Sequence, residues 1–146
     1  MQKSCSIFKM KIRQFKPKDY QGFAKVLKSV GSFEKDTDNY NVMLRVHKLS
    51  PDLILVAEDK GKIIGTVIGQ GNGSVGFVWS LAVLPSEQGK GTGKKLILEI
   101  QRRLKKNGCV GISLFTSLDR KKAVNMYREL GYKHIKKAYV MAKPKL

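Results

Sequence analysis

The sequence predicts an α+β, or mixed α/β, chain built around a single sheet. Three observations carry that expectation. Two stretches before Pro51 hold apolar residues at helical spacing; β-branched and aliphatic runs broken by glycine turns follow; and helical spacing returns in "GKKLILEIQRRLKKNG" and "RKKAVNMYREL". With 146 residues and no internal repeat, linker or low-complexity tract, the chain reads as one domain. That length buries about two-thirds of the surface exposed by the unfolded chain.

The order opens on a strand in "MKIRQF". In "KPKDYQGFAKVLKSVG", Tyr20, Phe23, Leu27 and Val30 share a helical face, with Pro17 and Asp19 marking the start and Gly31 the stop. "DTDNYNVMLRVHKLSP" repeats the spacing with Tyr40, Met43, Leu44 and His47; Asp36 or Thr37 is the expected cap, and Ser50 and Pro51 close the helix. In "LILVAEDKGKIIGTVIG" two strand-like runs flank Glu58-Asp59-Lys60-Gly61, a hairpin signal. "GQGNGS" reads as a turn and "VGFVWSLAVL" as a longer strand completing a meander.

The helix after it places Leu96, Ile97, Ile100 and Leu104 on one face. Arg102, Arg103, Lys105 and Lys106 fall in its last turns, where cations complement the helix dipole, and Gly108 ends it. "VGISLFTS" has no charge and reads as a buried strand; Asp119 is the expected cap of a further helix stopped by Gly131. "YKHIKKAYVMAKP" is expected to supply a last strand or strand pair.

Composition excludes several classes. Cys5 and Cys109 are the only cysteines, too few for a disulfide framework or a four-ligand zinc site, so ordinary reduced thiols and no metal are expected. Lys3, Lys9 and Lys11 interrupt the N-terminal apolar residues, and no run of apolar residues is long enough to span a bilayer. A cytoplasmic protein without membrane association is expected. The 29 Lys and Arg against 11 Asp and Glu give a net charge of +18, which attracts polyanions or a phosphorylated ligand without choosing among them.

The stretch "LPSEQGKGTGKKLIL" sits where a strand gives way to a helix, and such junctions hold phosphates because helix N–H groups and the positive dipole end face an anion there. A Walker loop, G-x-x-x-x-G-K-S/T, fails on spacing from both Gly89 and Gly91. The dinucleotide turn G-x-G-x-x-G fails because Lys94 stands at the third glycine position, and the antiparallel meander upstream is the wrong context. What remains is Gln88-Gly89-Lys90-Gly91-Thr92-Gly93, following "LAVLP" and opening an amphipathic helix.

This loop resembles the acetyl-CoA pyrophosphate loop of the GNAT family of N-acetyltransferases, R/Q-x-x-G-x-G/A, together with its preceding strand and proline. "AVNMYRELGY", Ala123 to Tyr132, is similar to the family's A-I-x-L-Y-x-x-x-G-F segment, and the resemblance extends from Met10 to about Lys143. It implies a GNAT-type fold, a mostly antiparallel twisted sheet of six or seven strands with about four helices, in the order β-α-α-β-β-β-α-β-α-β-β. Residues 1–9 then form a short extension and 10–146 a single N-acetyltransferase domain. The expected reaction is transfer of an acetyl group from acetyl-CoA to a primary amine of a small molecule, peptide or protein by direct attack.

Glycines let the loop backbone approach a bulky pyrophosphate, and the N–H groups from Gly89 to Lys94 can point at its oxygens, with point charges added by Lys90, Lys94 and Lys95. The resemblance implies that backbone groups of Leu81, Ala82 and Val83 pair with the pantetheine arm, where a donor N–H would also polarise the thioester carbonyl. It makes Tyr127 the general acid for the leaving thiolate, a phenol of pKa about 10 being able to donate as the C–S bond breaks; packing in the core is the competing role. Arg120 stands where many members carry a cofactor-contacting asparagine, and either reaches a phosphate or covers the surface; Asn125 lies nearby, out of register.

No acidic residue occurs in "VGFVWSLAV" or "VGISLFTS", so deprotonation of the amine falls to water, to a loop carboxylate such as Glu34 or Glu87, or to an amine already partly neutral. The Phe115 region lacks the glutamate of members that acetylate ribosomal-protein N-termini. His47 and His134 are expected to be structural, and Trp79 either lines the acceptor pocket or packs in the core. The positive surface favours an acidic or anionic acceptor over a cationic one. Two other classes stay open: a family member that binds CoA without catalysis, and a basic protein associated with nucleic acid through "RRLKK", "RKK" and "KHIKK", although no nucleic-acid motif is present. A monomer or homodimer is expected.

Overall fold

A computed structural model gives the fold and describes residues 10–143 and 146; the expected extension over residues 1–9 lies outside the described residues. The chain divides into two compact units after Phe115.

The first unit is a five-stranded sheet of β1 (Lys11–Gln14), β2 (Ile54–Asp59), β3 (Lys62–Gly71), β4 (Val75–Val83) and β5 (Gly111–Leu114), in that spatial order. The first three pairings are antiparallel and β4–β5 is parallel, as required by the helical crossover between them. Helices α1 (Tyr20–Ser29) and α2 (Tyr40–Leu49) separate β1 from β2, and α3 (Thr92–Lys106) separates β4 from β5. Pro17, Pro51 and Pro85 each open a 3-10 turn before an element or loop, where the missing N–H costs nothing.

The expected hairpin closes through Lys60 and Gly61, with φ of 50° and 75°. Positive φ at both centres matches the twist of the flanking strands. At the other side of this corner, Arg13 on β1 donates to both carboxylate oxygens of Asp19, at 2.7 and 2.9 Å, and to Glu58 on β2 at 3.2 and 3.4 Å. Burial works to raise the Asp19 pKa, but hydrogen bonds from Arg13 and the Lys16 N–H hold it below the ordinary carboxylate value. Asp19 thus ties β1 to the start of α1 instead of capping the helix with its side chain.

The expected cap of α2 is corrected. Asn39 holds the position, its side-chain oxygen accepting from the Val42 N–H at 3.1 Å, whereas Asp36 and Thr37 belong to the preceding turn. Of the predicted α2 face only Met43 is fully buried.

Leu96, Ile97, Ile100 and Leu104 of α3 are all 0% exposed, each contributing roughly 1.5–3 kcal/mol by burial. They reach the sheet through glycines. A Cβ at Gly69 would stand 2.7 Å from Ile100 Cγ1, and one at Gly76 would stand 3.0 Å from Leu104 Cδ1. Strand β5 is half-buried rather than buried, because it lies at the sheet edge and pairs on one side only.

In the second unit α4 (Lys121–Glu129) ends at Gly131, whose φ of 90° takes the left-handed stop conformation. Arg120, not Asp119, occupies the N-cap position, and the Asp119 carboxylate instead accepts from the Ser117 hydroxyl. From Tyr132 to Lys143 the described residues form no strand, so the expected terminal strand or pair is corrected and the six or seven strands become five. A strand needs a ladder partner and one buried face. Here Ile135, Tyr139, Val140 and Met141 are exposed and lysines are interspersed among them. Among the described residues, no helix is long and apolar enough to cross a membrane.

Candidate active site

Strands β4 and β5 run side by side only from Val75↔Gly111 to Val78↔Leu114. Beyond that pair β4 continues to Val83 while β5 ends, so the β5-side edge of Trp79–Val83 has no strand partner among the described residues. A bulge sharpens the parting: Thr66↔Ala82 is followed by Ile68↔Trp79, so two residues of β4, Ser80 and Leu81, stand opposite one of β3, Val67. Ser80 sits in it with φ of 52°, a left-handed conformation rare for a non-glycine residue. Leu81 is half-buried and Ala82 and Val83 are buried, so what this edge offers is backbone rather than side chain.

The edge leads directly into the glycine loop. The Leu84 N–H donates to the Ile64 carbonyl at 2.8 Å, the chain turns through Pro85–Glu87, and the Gln88 side-chain amide donates to the Val83 carbonyl at 3.0 Å. Gln88 therefore staples the loop to the end of β4. Gly89 and Gly91 have φ of 79° and 82°, with nothing within 4 Å of an added Cβ; backbone shape, not crowding, requires them. Gly93 is already in α3, and the first helical bond runs from the Lys95 N–H to the Gly91 carbonyl at 3.0 Å. The N–H groups of Thr92, Gly93 and Lys94 thus precede the helical ladder and face outward at the positive dipole end. This is a cradle suited to a diphosphate. Lys90 is ion-paired with Glu87 at 3.1 Å, which occupies one of the two loop carboxylates considered as a base. The other, Glu34, is exposed in the turn before α2, its N–H donating to Asp38.

The sheet face opposite α3 carries rings. Trp79, on β4, is 42% exposed, which rules out core packing. Its indole N–H donates to Gln70 Oε1 at 3.2 Å, and its ring lies 6.2 Å from Phe77 and 6.0 Å from Phe115, centroid to centroid. His47 packs edge-on against Phe15 at 5.7 Å, the structural role expected of it.

In the second unit Tyr127 is buried, and its ring meets Tyr132 edge-on at 5.5 Å. Burial pushes the Tyr127 pKa up, with a smaller opposing pull from Arg120, so the phenol stays protonated and able to donate. Burial pushes Tyr132 up to about 12. Arg120, Asn125 and His134 are exposed. Leu81 to Val83 and Gln88 to Lys94 thus form one continuous strip in the first unit, while Arg120 and Tyr127 belong to the second. Among the described residues no group of three His, Cys, Asp or Glu is placed to hold a metal.

The sequence reading missed the Ser80 bulge, because Ser-Leu in a strand carries no turn signal, and the grouping of the three rings, because Phe115 is remote in sequence from Phe77 and Trp79. Only the alternation of Phe77 and Trp79 hinted at a shared face.

A model of the acetyltransferase (GNAT) family matches residues 18–132. The chain belongs to the GNAT acetyltransferases. An acetyltransferase of Pectobacterium atrosepticum is 30% identical over 126 residues, covering 86% of this chain and 89% of the relative. Among solved structures, an aminoglycoside N-acetyltransferase in complex with CoA superposes with a TM-score of 0.75 at 21% identity, covering 97% of this chain and 99% of the other. Glucosamine-6-phosphate N-acetyltransferase from Arabidopsis thaliana gives a TM-score of 0.72 at 24% identity, covering 92% and 97%. Identities this low speak for the GNAT fold. The GNAT match takes in the parted strand, the glycine loop and Tyr127.

Proposed function

We propose that this GNAT acetyltransferase uses residues 10–146 as one domain to move an acetyl group from acetyl-CoA to a primary amine. The observation that carries the reading is the unpaired edge of β4 beyond Val78, running into a left-handed glycine loop at the N-terminus of α3. An extended amide-bearing arm can pair with such an edge as a strand would, and a diphosphate fits the N–H groups that follow. Leu81, Ala82 and Val83 hold the arm, and Gly89 to Lys94 hold the diphosphate. Gln88 shapes the loop, and Lys90, Lys94 and Arg120 add positive charge.

Acetyl-CoA supplies an activated thioester. The amine nitrogen attacks its carbonyl carbon, a backbone N–H of the β4 edge steadies the oxygen that gains charge, and the C–S bond breaks. Following the resemblance, the Tyr127 hydroxyl gives its proton to the departing thiolate, and its raised pKa keeps that proton in place at neutral pH. With no carboxylate on β4 or β5, the acceptor's ammonium gives its proton to water before attack, the neutral amine attacks, and the proton released from nitrogen as the amide forms passes through solvent to the Tyr127 phenolate. The net charge of +18 draws anionic amines and disfavours polycations.

Calorimetric titration with acetyl-CoA tests the cosubstrate, and absence of binding overturns it. Release of free thiol with a panel of amines separates an enzyme from a CoA-binding protein that does not turn over. Tyr127→Phe is expected to lower kcat by about 10²-fold while acetyl-CoA affinity stays within about twofold, a difference below the usual weight of one hydrogen bond. Full turnover in that variant removes Tyr127 from the mechanism.

A further inference from the structure

We propose that Phe77, Trp79 and Phe115 form the acceptor-binding platform, and that the acceptor is a primary amine carrying an aromatic ring close to its nitrogen. The inference rests on the proposed use of the β4 edge for acetyl-CoA and names the substrate class that meets it there.

The position of the rings is the first argument. Val78↔Leu114 is the last pair between β4 and β5, and Trp79 and Phe115 are the next residue on each strand. They therefore stand at the fork where the strands part, at the inner end of the edge assigned to the arm. The diphosphate cradle lies at the opposite end of that edge, past Val83. A thioester at the inner end brings the attacking nitrogen beside these rings.

Their exposure is the second argument. Gly76 packs beneath Leu104, and Gly69 and Val78 form a cross-strand pair beneath Ile100, so α3 covers that face of the sheet. Phe77 and Trp79, alternating with them, point to the opposite face, where Trp79 is 42% and Phe115 57% exposed. Clustered apolar side chains left open to water on a soluble surface mark binding sites, and aromatic rings carry much of the energy where they do.

Geometry and charge select the ligand. The Phe77 plane lies 14° from that of Phe115 and 28° from that of Trp79, with Trp79 and Phe115 tilted 41° to each other, so Phe77 is nearly aligned with each neighbour and the rings offer faces to a planar group. The hydrogen bond from Trp79 to Gln70 holds the indole before any ligand arrives, which lowers the entropy lost on binding. Neither β4 nor β5 carries an acid to anchor a cationic chain. An aliphatic polyamine thus finds no counter-charge on these strands, whereas an aryl group finds a surface.

Trp79 is the only tryptophan of the chain, so its fluorescence reports this site alone. Titration with 2-phenylethylamine is expected to shift or quench the emission saturably, while hexylamine at equal concentration leaves it unchanged. In thiol-release assays at saturating acetyl-CoA, phenylethylamine is expected to be preferred over hexylamine by about tenfold in kcat/KM, the weight of one stacked ring and its buried area. Trp79→Ala should abolish that preference through KM, with acetyl-CoA affinity unchanged by calorimetry; Phe115→Ala provides the same reading should the first variant fold poorly. Equal rates for the two amines, retention of the preference in both variants, or conversion of a dimer to a monomer by Trp79→Ala overturns the proposal, the last by assigning the rings to a second copy of the chain. Loss of acetyl-CoA binding by the unmodified protein overturns the cosubstrate reading as well. Intact binding without aryl preference overturns the platform alone.

Discussion

The two faces of the sheet at β3 and β4 differ in what they allow close to them. On one, Gly69, Gly71 and Gly76 leave no side chain between the strands and α3, and Ile100 and Leu104 fill the space to contact distance. On the other, Phe77 and Trp79 rise from the same strand, Phe77 half-buried and Trp79 exposed to solvent. The alternation in "GFVW" thus writes two surfaces at once: a small-residue side that admits a helix, and a ring side open to a ligand. The first is a matter of stability and the second of recognition, so changes on the two faces should be read by different measurements.

The largest expected contrast comes from adding bulk to the closed face. Gly69→Val places a branched side chain where even a Cβ meets Ile100 at 2.7 Å, and is expected to destabilise the protein by about 2–3 kcal/mol in denaturant unfolding. Trp79→Ala on the open face should change the same measurement by less than about 1 kcal/mol. Equal losses would mean that the rings serve the fold. A smaller effect is expected at the loop joining both regions. Gly91→Val forces a β-branched residue to a φ of 82°, a strain of about 1–2 kcal/mol that is expected to appear as roughly tenfold weaker acetyl-CoA binding rather than as loss of the sheet.

The smallest effect lies on the outer side of α3. Hydrogen bonds from Arg102 and then Arg103 hold Glu99 down to about 2 from 4.5, against a partial opposing effect of burial. A lowered carboxylate pKa stabilises the fold above the unfolded value and loses that contribution as pH falls through the folded one. The melting temperature should therefore decline between pH 4.5 and about 2, and Glu99→Gln should flatten part of that decline. Because Arg102 is exposed and Glu99 is only half-buried, solvent screens these contacts and the change is expected to be small.

Much of this was legible in the chain itself. Helical spacing located α1, α3 and α4, Lys60-Gly61 closed the expected hairpin, and Gln88 to Gly93 marked the loop and the first residues of α3. These are local signals, since a glycine at positive φ or an apolar stripe constrains neighbours a few residues away. The caps were less legible, because Asp36, Thr37 and Asn39 can each accept a capping hydrogen bond and only the path of the preceding turn selects Asn39. The terminal segment reads as a strand by residue type, yet propensity without a pairing partner makes none.

The sequence alone therefore settled which residues prefer helix, strand or left-handed turn, and through them the order of elements from β1 to α4 and the position of the glycine loop. The tertiary fold decided where β4 leaves β5, that the extra residue of the bulge falls at Ser80, and that Phe115 joins Phe77 and Trp79. Those are questions of register between segments far apart in the chain. No residue carries its register in its own chemistry; it is fixed only when α3 packs on the glycine face and the strands align beneath it.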